Sequence, residues 1–240
     1  MMSASGHVLL VTGASRGIGN AIAERLLRDG HRLSLGVRDP DGMRGTRLDV
    51  ERWGADRLLI HPYEAQDPAS ASAWVEASAC WSGGFNTLIH CAGILRSTPL
   101  LFADGDDSDL NELWQINVMG PWWLTRAAWP FLSSSGQGRI QVLVSMSGKR
   151  CKGQMAGYPV SKFALMGLCQ AIRNEGWQAG IRITAICPSW VNTAMARSVS
   201  SVDPLQMTQP EDIATLSSTL LQVDNAAVPF ELAVNCALET

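Results

Sequence analysis

Two ionisable residues, Tyr158 and Lys162, stand four positions apart in the segment Tyr-Pro-Val-Ser-Lys. On a helix this spacing places both side chains on one face. A phenol has an ordinary pKa of about 10 and is therefore a poor base at neutral pH. Because a neighbouring ammonium favours phenolate, we expect Lys162 to lower the pKa of Tyr158 toward the range in which proton transfer is efficient. The same spacing also occurs in amphipathic surface helices, so other residues must decide between the two interpretations.

Two further polar residues extend this pair. Ser145 precedes Tyr158 by thirteen positions and is predicted to end a strand, where its hydroxyl can hydrogen-bond a substrate oxygen and stabilise developing charge. Ser147 is a close competitor for that role. Asn117 lies within a predicted long helix, where a buried amide needs hydrogen-bond partners. The alternative for Asn117 is a polar side chain that faces solvent.

A glycine-rich loop follows the apolar stretch Val8–Val11 and reads Thr-Gly-Ala-Ser-Arg-Gly-Ile-Gly. Glycines allow the backbone to turn tightly and to approach a pyrophosphate, and the next helix presents free N–H groups to the anion. Taken alone, this pattern also fits a simple strand-to-helix turn. Its position between a predicted strand and a predicted helix favours nucleotide binding. The candidate cofactor-binding residues here are Gly13, Ser15, Arg16, Gly17, Ile18 and Gly19.

Short apolar segments alternate with longer segments of helical periodicity along the chain. The predicted strands are His7–Thr12, Arg32–Val37, Arg57–His61, Thr87–Cys91, Gln141–Ser145 and Arg182–Ile186, and the predicted helices are Gly19–Asp29, Ala69–Cys80, Leu110–Leu132 and Gly157–Ala179. Alternation of this kind predicts an α/β fold: a doubly wound parallel sheet with helices on both faces. No linker or repeat interrupts the pattern, so we predict a single domain spanning residues 1–240.

Composition narrows the function classes. Apolar residues make up 46% of the 240 residues and charged residues 17%, and the net charge is −3 without a basic block, which argues against a nucleic-acid partner. The six cysteines are widely spaced, so neither a disulfide framework nor a metal site is predicted, and we expect buried thiols. No segment resembles a signal peptide or a membrane span, which predicts a cytoplasmic protein without a membrane partner.

The spacing of the glycine loop resembles that of the short-chain dehydrogenase/reductase family. The resemblance continues in order through His90-Cys91-Ala92-Gly93, Asn117, Ser145, Tyr158-Pro159-Val160-Ser161-Lys162 and Cys187-Pro188-Ser189 leading to Thr193. It implies a Rossmann-type fold and an oxidoreductase that transfers a hydride between NADP(H) and a small-molecule carbonyl/alcohol substrate.

The resemblance also implies the role of each catalytic residue. Tyr158 is the general acid/base and Ser145 orients the substrate oxygen. Lys162 binds the nicotinamide ribose and lowers the pKa of Tyr158, while Asn117 distorts its helix and completes a proton relay. The family's usual spacing from Tyr158 favours Ser145 over Ser147.

Residues after the second predicted strand bear on the choice between NADP and NAD. A carboxylate there accepts from a ribose 2′-hydroxyl, whereas an arginine binds a 2′-phosphate. Arg38 occupies the basic position, and Arg16 is a second candidate, so NADP(H) is predicted over NAD(H). Asp39 is the counter-argument, since a shift of one residue would place a carboxylate near the ribose. The remaining cofactor-binding residues implied by the resemblance are Glu64, Cys91, Ala92, Gly93, Pro188, Val191 and Thr193, in addition to Tyr158 and Lys162.

The chain departs from the family pattern at three places. His90-Cys91 replaces two asparagines, so the hydrogen bonds at the sheet centre must be rearranged. Ser189 replaces a glycine and fits there provided its φ is not positive. The tail segment 234–237 lacks the usual Asp-Gly-Gly, which places the last strand in doubt.

Two surface features concern partners. A short variable segment of about residues 194–209 is the predicted substrate lid, whose methionines suit an adaptable apolar pocket or simple surface packing. Trp114, Trp122, Trp123 and Trp129 crowd one helical region. Aromatic residues concentrate in interfaces, so we predict a homo-dimer or homo-tetramer, with packing against the sheet as the alternative.

Two other functions compete with the carbonyl reductase or dehydrogenase. A catalytically silent NADP-binding regulator or scaffold would not need Tyr158 or Lys162. Epimerases and enoyl reductases on the same fold are disfavoured by the short lid and by the spacing of four between tyrosine and lysine.

Overall fold

A parallel β-sheet runs through the centre of the protein, for which we analysed a computed structural model describing residues 7–103, 107–153 and 155–234. Within these residues the sheet has seven strands in the order β3-β2-β1-β4-β5-β6-β7. The strands are β1 Val8–Thr12, β2 Arg32–Val37, β3 Leu58–Pro62, β4 Thr87–His90, β5 Arg139–Leu143, β6 Arg182–Pro188 and β7 Glu231–Val234.

Helices cover both faces of the sheet. In the described residues they are α1 Gly17–Arg28, α2 Val50–Trp53, α3 Pro68–Ser82, α4 Asp107–Trp114, α5 Gly120–Ser134, α6 Gly157–Gly176, α7 Ala194–Arg197 and α8 Pro210–Gln222. One core joins α3, α5 and α6 to the sheet through residues such as Trp74, Leu124 and Leu165. A second core on the opposite face contains Ile22 of α1 and Ile213 of α8. The predicted doubly wound α/β architecture is confirmed.

The strand order reverses between β1 and β4. The chain winds outward from β1 to β2 and β3, then crosses back to β4 and winds outward in the other direction. Loops after the carboxyl ends of β1 and β4 therefore separate and leave a crevice, which is where open α/β sheets bind their ligands. The glycine loop follows β1 and the segment Cys91–Gly93 follows β4, so both border this crevice.

Some boundaries and elements differ from the prediction. The predicted helix Leu110–Leu132 is broken into α4, a π-helical turn Gln115–Met119 and α5. β5 lies two residues earlier than predicted, so Ser145 follows the strand instead of ending it. The last strand, which the sequence left in doubt, forms as β7 and pairs in parallel with β6, while the rest of the atypical tail lies outside the described residues. α8 was not predicted.

The thiols and the apolar segments complete this comparison. Cys169 and Cys187 are buried, but Cys80 and Cys151 are exposed, so the expectation of buried thiols throughout is wrong. No helix among the described residues has the length and apolar character needed to cross a membrane.

Candidate active site

The glycine loop ends at the amino terminus of α1. Arg16 precedes the helix with extended backbone and offers no side-chain cap, and the first turn contains no acidic residue. The first N–H groups of α1 are therefore left without a side-chain acceptor, as an anion-binding helix terminus requires. Gly13 and Gly17 have φ angles of 66° and 59°, which side chains other than glycine rarely adopt. Ser15 is exposed and Ile18 is half-buried.

Close backbone contact joins this loop to the segment after β4. A Cβ atom at Gly13 would lie 2.7 Å from the backbone nitrogen of Ala92, and one at Gly19 would lie 2.4 Å from the carbonyl oxygen of Gly13. Glycine is therefore required at both positions by packing within the protein. The glycine loop and the segment Cys91–Gly93 are therefore in close backbone contact where they border the crevice.

Thr12 is a residue to which sequence reasoning gave no role. Its Oγ1 accepts hydrogen bonds from the backbone N–H groups of both Cys91 and Ala92, each at 3.0 Å. This hydroxyl fixes the end of β1 against the end of β4 at the point where the strand order reverses. In the sequence, this role could have been inferred from the presence of a polar residue at the end of an otherwise apolar strand.

The His90-Cys91 departure is accommodated by new partners. His90 is buried, and its Nε2 lies 3.0 Å from Thr125 Oγ1 of α5. Burial lowers the pKa of His90 to about 3, so the ring is neutral at physiological pH. Burial raises the pKa of Cys91 to about 12, so this thiol stays protonated. The expected rearrangement thus consists of a β4–α5 side-chain contact and the Thr12 hydrogen bonds.

Asn117 lies in the π-helical turn and is fully buried. Its Oδ1 accepts from the Ile94 N–H at 2.9 Å, and its Nδ2 donates to the Ile94 carbonyl at 3.0 Å and to Ser161 Oγ at 3.0 Å. Ser161 in turn donates to the Tyr158 carbonyl at 2.7 Å. The side chain therefore connects the segment after β4 to the helix that carries Tyr158. The interpretation of Asn117 as a solvent-facing residue is wrong, and the expected helix distortion is present as the π turn.

Ser145 has a φ of 113°, and it is the one non-glycine residue with positive φ among the described residues. Such a conformation costs on the order of 1–3 kcal/mol and tends to occur where function fixes the backbone. The Ser145 side chain accepts from the Ser147 N–H at 3.1 Å and forms a hydrogen bond with Tyr158. This contact with Tyr158 favours Ser145 over Ser147 as the serine beside the phenol.

Tyr158 and Lys162 are both buried, at 8% and 5% exposure. Burial raises the pKa of Tyr158 to about 12, and the hydrogen bond with Ser145 opposes this rise. Burial lowers the pKa of Lys162 to about 8, opposed by the nearby thiols of Cys169, Cys187 and Cys91. The prediction that the pKa of Tyr158 is lowered is wrong for the protein alone. Lys162 Nζ donates to the Leu143 carbonyl at 3.0 Å and lies 5.7 Å from the Tyr158 ring centre, so desolvation of the phenol dominates.

The side chains of Lys162 and Asn117 both approach the backbone of Gly93, which borders the crevice. A Cβ atom there would lie 3.2 Å from Asn117 Oδ1 and 3.6 Å from Lys162 Nζ. The structure therefore brings together the predicted residues Asn117, Ser145, Tyr158 and Lys162 beside the glycine loop.

Arg38 and Glu64 follow the ends of the adjacent strands β2 and β3, at the far side of the crevice. Arg38 is exposed and makes no ion pair or hydrogen bond with any residue that the structure describes. Asp39 instead accepts a hydrogen bond from the Gly42 N–H at 3.2 Å within the following turn. Glu64 is half-buried, and its carboxylate lies 3.5 Å from the Gln66 N–H.

The segment Pro188–Thr193 completes the crevice. Ser189 does not have a positive φ, so the serine fits without strain, and its N–H donates to the Val234 carbonyl at 2.7 Å. Val191 is buried and pairs with Thr208 in an isolated parallel bridge. Thr193 Oγ1 caps α7 by accepting from the Ala196 N–H at 3.2 Å. The Thr193 methyl lies 3.4 Å from the point where a Cβ on Gly17 would stand, which places this segment against the glycine loop.

Comparison with known proteins agrees with this geometry. The family model described as short chain dehydrogenase matches residues 7–203. The chain belongs to this family. Its relatives include the agropine synthesis reductase of Rhizobium rhizogenes, which is 34% identical over 97% of the chain. The chain spans 53% of that protein's length. Oxidoreductase UcpA of Escherichia coli is 31% identical over 95% of this chain and 85% of its own length.

Solved structures show the same fold. A metagenomic short-chain oxidoreductase in complex with NADP has a TM-score of 0.81 and 28% identity, and the alignment covers 98% of this chain and 99% of that one. An alcohol dehydrogenase from Thermococcus sibiricus complexed with 5-hydroxy-NADP has a TM-score of 0.84 at 23% identity, covering 98% of both chains. These similarities show that the chain has the same fold as those structures.

Proposed function

We propose that this protein is an NADP(H)-dependent oxidoreductase that interconverts a carbonyl and an alcohol, with Tyr158 as the general acid/base. One observation carries the proposal: the Tyr158 phenol is buried against Ser145, one helical turn from Lys162, at the carboxyl edge of the central strands. A nicotinamide, when bound, supplies or accepts the hydride. A silent scaffold would gain nothing from the strained backbone of Ser145 or from a buried lysine.

Four side chains of the protein have the remaining roles in the proposed reaction. Ser145 donates its hydroxyl hydrogen to the substrate oxygen and holds it near Tyr158. The Tyr158 Oη gives its proton to that oxygen during reduction and takes it back during oxidation. The raised pKa of Tyr158 keeps the phenol protonated at neutral pH, the form that reduction of a carbonyl requires. Lys162 would hold the nicotinamide ribose, and Asn117 anchors the helix that carries the pair.

The crevice fits a dinucleotide. The uncapped terminus of α1 offers N–H groups to a pyrophosphate, and Arg16 lies beside it. Arg38 supports NADP over NAD because it is exposed and unpaired among the described residues, while the Asp39 carboxylate is held by Gly42. The related metagenomic oxidoreductase was solved with NADP, which supports the same choice. Cys91, Ala92, Gly93, Pro188, Val191 and Thr193 would line the nicotinamide side, and Glu64 the adenine.

The proposed lid, residues 194–209, begins with α7 and includes a short turn Pro204–Gln206. Within the lid, Met207 is buried, while Met195 and Leu205 are exposed. Val191 pairs with Thr208 of the lid, and Thr193 caps α7 and lies against Gly17 of the glycine loop. We propose that Met195 faces the substrate and that Met207 serves packing.

Replacement of the phenol tests the enzymatic proposal. We expect Tyr158→Phe to reduce kcat for NADPH oxidation against a panel of aldehydes and ketones by at least about a hundredfold, since general acid catalysis contributes that much. The sequence has two tyrosines, so Tyr63→Phe, which changes a buried residue packed against Trp74, is a matched control. Activity retained in Tyr158→Phe, or tight NADPH binding with no turnover of any panel member by the unmodified protein, would contradict the proposal.

The cofactor preference has its own test. Arg38→Ala should weaken NADPH binding by about tenfold or more and leave NADH binding unchanged, because a charge-assisted contact to the 2′-phosphate is lost. Asp39→Asn is the control and should leave the NADPH-to-NADH affinity ratio unchanged, since this carboxylate faces Gly42. Isothermal titration with both cofactors measures the ratio. An unchanged ratio in Arg38→Ala would show that another residue reads the phosphate.

A further inference from the structure

A small cavity lies at the end of the sheet opposite the crevice. It has a volume of about 230 Å³, and its lining includes Arg173, Trp177, Arg182 and Phe230. These residues come from the C-terminal part of α6, from the first residues of β6 and from the turn that leads into β7. The catalytic residues follow the carboxyl ends of the strands, whereas this cavity borders the amino ends. It therefore belongs to neither the cofactor crevice nor the lid.

Both cationic groups of the cavity are held against aromatic rings. The Arg182 guanidinium carbon lies 3.7 Å from the Trp177 ring centre, and that of Arg173 lies 5.0 Å from the Phe230 ring centre. Stacking of a guanidinium on a ring occupies its face and leaves its N–H edge available for an acceptor. The cavity is thus framed by two aromatic rings and two guanidinium edges.

Arg182 is fixed in place by backbone carbonyls. Its Nη1 donates to the Trp177 and Ile181 carbonyls, both at 3.0 Å, and its Nε donates to the Asn225 carbonyl at 3.2 Å. Nη2 makes no hydrogen bond within the described part of the chain. A guanidinium ordered by three carbonyls loses little further freedom when it binds a ligand, so its remaining donor is pre-organised.

The positive charge of the cavity has no acidic counterpart in its lining. None of the described lining residues is acidic, and neither Arg173 nor Arg182 forms an ion pair with a described residue. Arg139 stands directly opposite Arg182 in the β5–β6 register, is 7% exposed, and has an Nε without a hydrogen-bond partner in the described structure. Burial and the charge of Arg182 lower the pKa of Arg139, and Asp224 opposes this shift, while the Asp224 carboxylate accepts from the Ala226 N–H. The cluster therefore favours an anion.

Size and wall chemistry limit the class of anion. Because one water takes about 30 Å³ of liquid volume, the cavity has room for about eight water-sized groups, the size of a small ligand with one ring. Ile181, Ile183 and Val228 present apolar walls that a fully hydrated inorganic anion would not use. We propose that the cavity binds a small aromatic carboxylate, with the guanidinium edges of Arg173 and Arg182 on the carboxylate and the rings of Trp177 and Phe230 around its apolar body.

Titration with benzoate tests this site on the full chain. We expect saturable binding by isothermal titration calorimetry, in the absence of nicotinamide cofactor, and unchanged binding when NADPH is added. The neutral isostere benzyl alcohol and inorganic phosphate should each bind at least about tenfold more weakly than benzoate. Benzyl alcohol lacks the negative charge, and phosphate lacks the aromatic ring. The absence of benzoate binding, or equal binding of either comparison ligand, would overturn the proposal.

Variants locate the site. Arg173→Gln should weaken benzoate binding at least about tenfold, and it removes an exposed side chain whose described contact is the Phe230 ring, so the fold is preserved. Arg182→Gln should weaken binding further, with folding checked by circular dichroism because its backbone hydrogen bonds are lost. Arg52→Gln is the matched control, since Arg52 also lies over a ring, that of Trp53, outside the cavity. Unchanged benzoate affinity in Arg173→Gln, or equal weakening in Arg52→Gln, would exclude this cavity. Neither outcome depends on whether the chain reduces carbonyls.

Discussion

At the scale of single residues, burial acts on Tyr158 and Lys162 in opposite directions and favours the neutral form of each. The pKa of the phenol rises to about 12 and that of the ammonium falls to about 8. At neutral pH the lysine is still charged and the tyrosine is protonated. The pair is therefore set as a proton donor beside a cation, which suits reduction of a carbonyl.

The lowered pKa of Lys162 predicts how stability varies with pH. Below about pH 8 the folded and unfolded chains both hold the proton, and the folded chain bears the full cost of burying the charge. Between about pH 8 and 10.5, the ordinary pKa of lysine, only the unfolded chain keeps the proton on Lys162. The unfolded state then binds more protons, so the free energy of unfolding rises with pH across this window, by on the order of 3 kcal/mol in total from this residue.

Comparison with Lys162→Met isolates that contribution. The difference in unfolding free energy between the original protein and this variant should shift in favour of the original protein as pH rises through the window, measured by urea denaturation. Lys152→Met, at an exposed position, should show no such trend. A difference that stays constant with pH would mean that the Lys162 charge is not desolvated.

At the scale of elements, the site depends on how strand ends are joined. Thr12 connects the ends of β1 and β4, and Asn117 connects the segment after β4 to α6 through Ser161. The π turn is what allows a polar side chain in the middle of a long helical segment to reach Ile94, because it rotates the chain relative to regular α-helix. These contacts connect the strand ends beside the glycine loop to the helix that carries Tyr158.

Removal of the Thr12 hydroxyl should weaken this connection. Thr12→Val keeps the shape of the side chain but leaves the N–H groups of Cys91 and Ala92 without their acceptor, at a cost of about 2 kcal/mol or more in the free energy of unfolding. NADPH affinity should fall as well, since both residues border the crevice. Thr12→Ser restores the oxygen and should recover most of both losses. Equal stability of Thr12→Val and the original protein in urea denaturation would show that these amides find other partners.

At the scale of the whole molecule, the four crowded tryptophans have two different environments. Trp123 and Trp129 of α5 are partly buried and pack against the core. For these two residues, the alternative of packing within the molecule therefore applies. Trp114 and Trp122 are 44% and 51% exposed, and Val160 and Phe163 of the neighbouring α6 are exposed as well. Large apolar side chains at such exposure mark interaction surfaces. We propose that this face of α4, α5 and α6 joins two copies of the chain.

A charge placed on this face tests the assembly. Trp122→Arg should shift the protein toward monomer in sedimentation velocity at unchanged helix content, because a buried unpaired charge in an interface costs several kcal/mol. Leu205→Arg, on the exposed lid turn, is the control and should leave the sedimentation coefficient unchanged. If the unmodified protein sediments as a monomer, this face is not an interface between copies.

The sequence alone predicted six strands of the sheet, the glycine loop and the residues of the candidate site, because periodicity, glycine spacing and the Tyr158–Lys162 interval are local properties of the chain. Local pattern could not show the break in the helix at Asn117 or the role of Thr12, since both arise from hydrogen bonds between segments far apart in sequence. Motif spacing favours Ser145 over Ser147, and the contact of Ser145 with Tyr158 supports the same choice. The direction of the Tyr158 pKa shift was mispredicted because spacing reveals a neighbouring ammonium but not the depth of burial. Only the tertiary structure sets that depth, and with it the protonation state from which the chemistry starts.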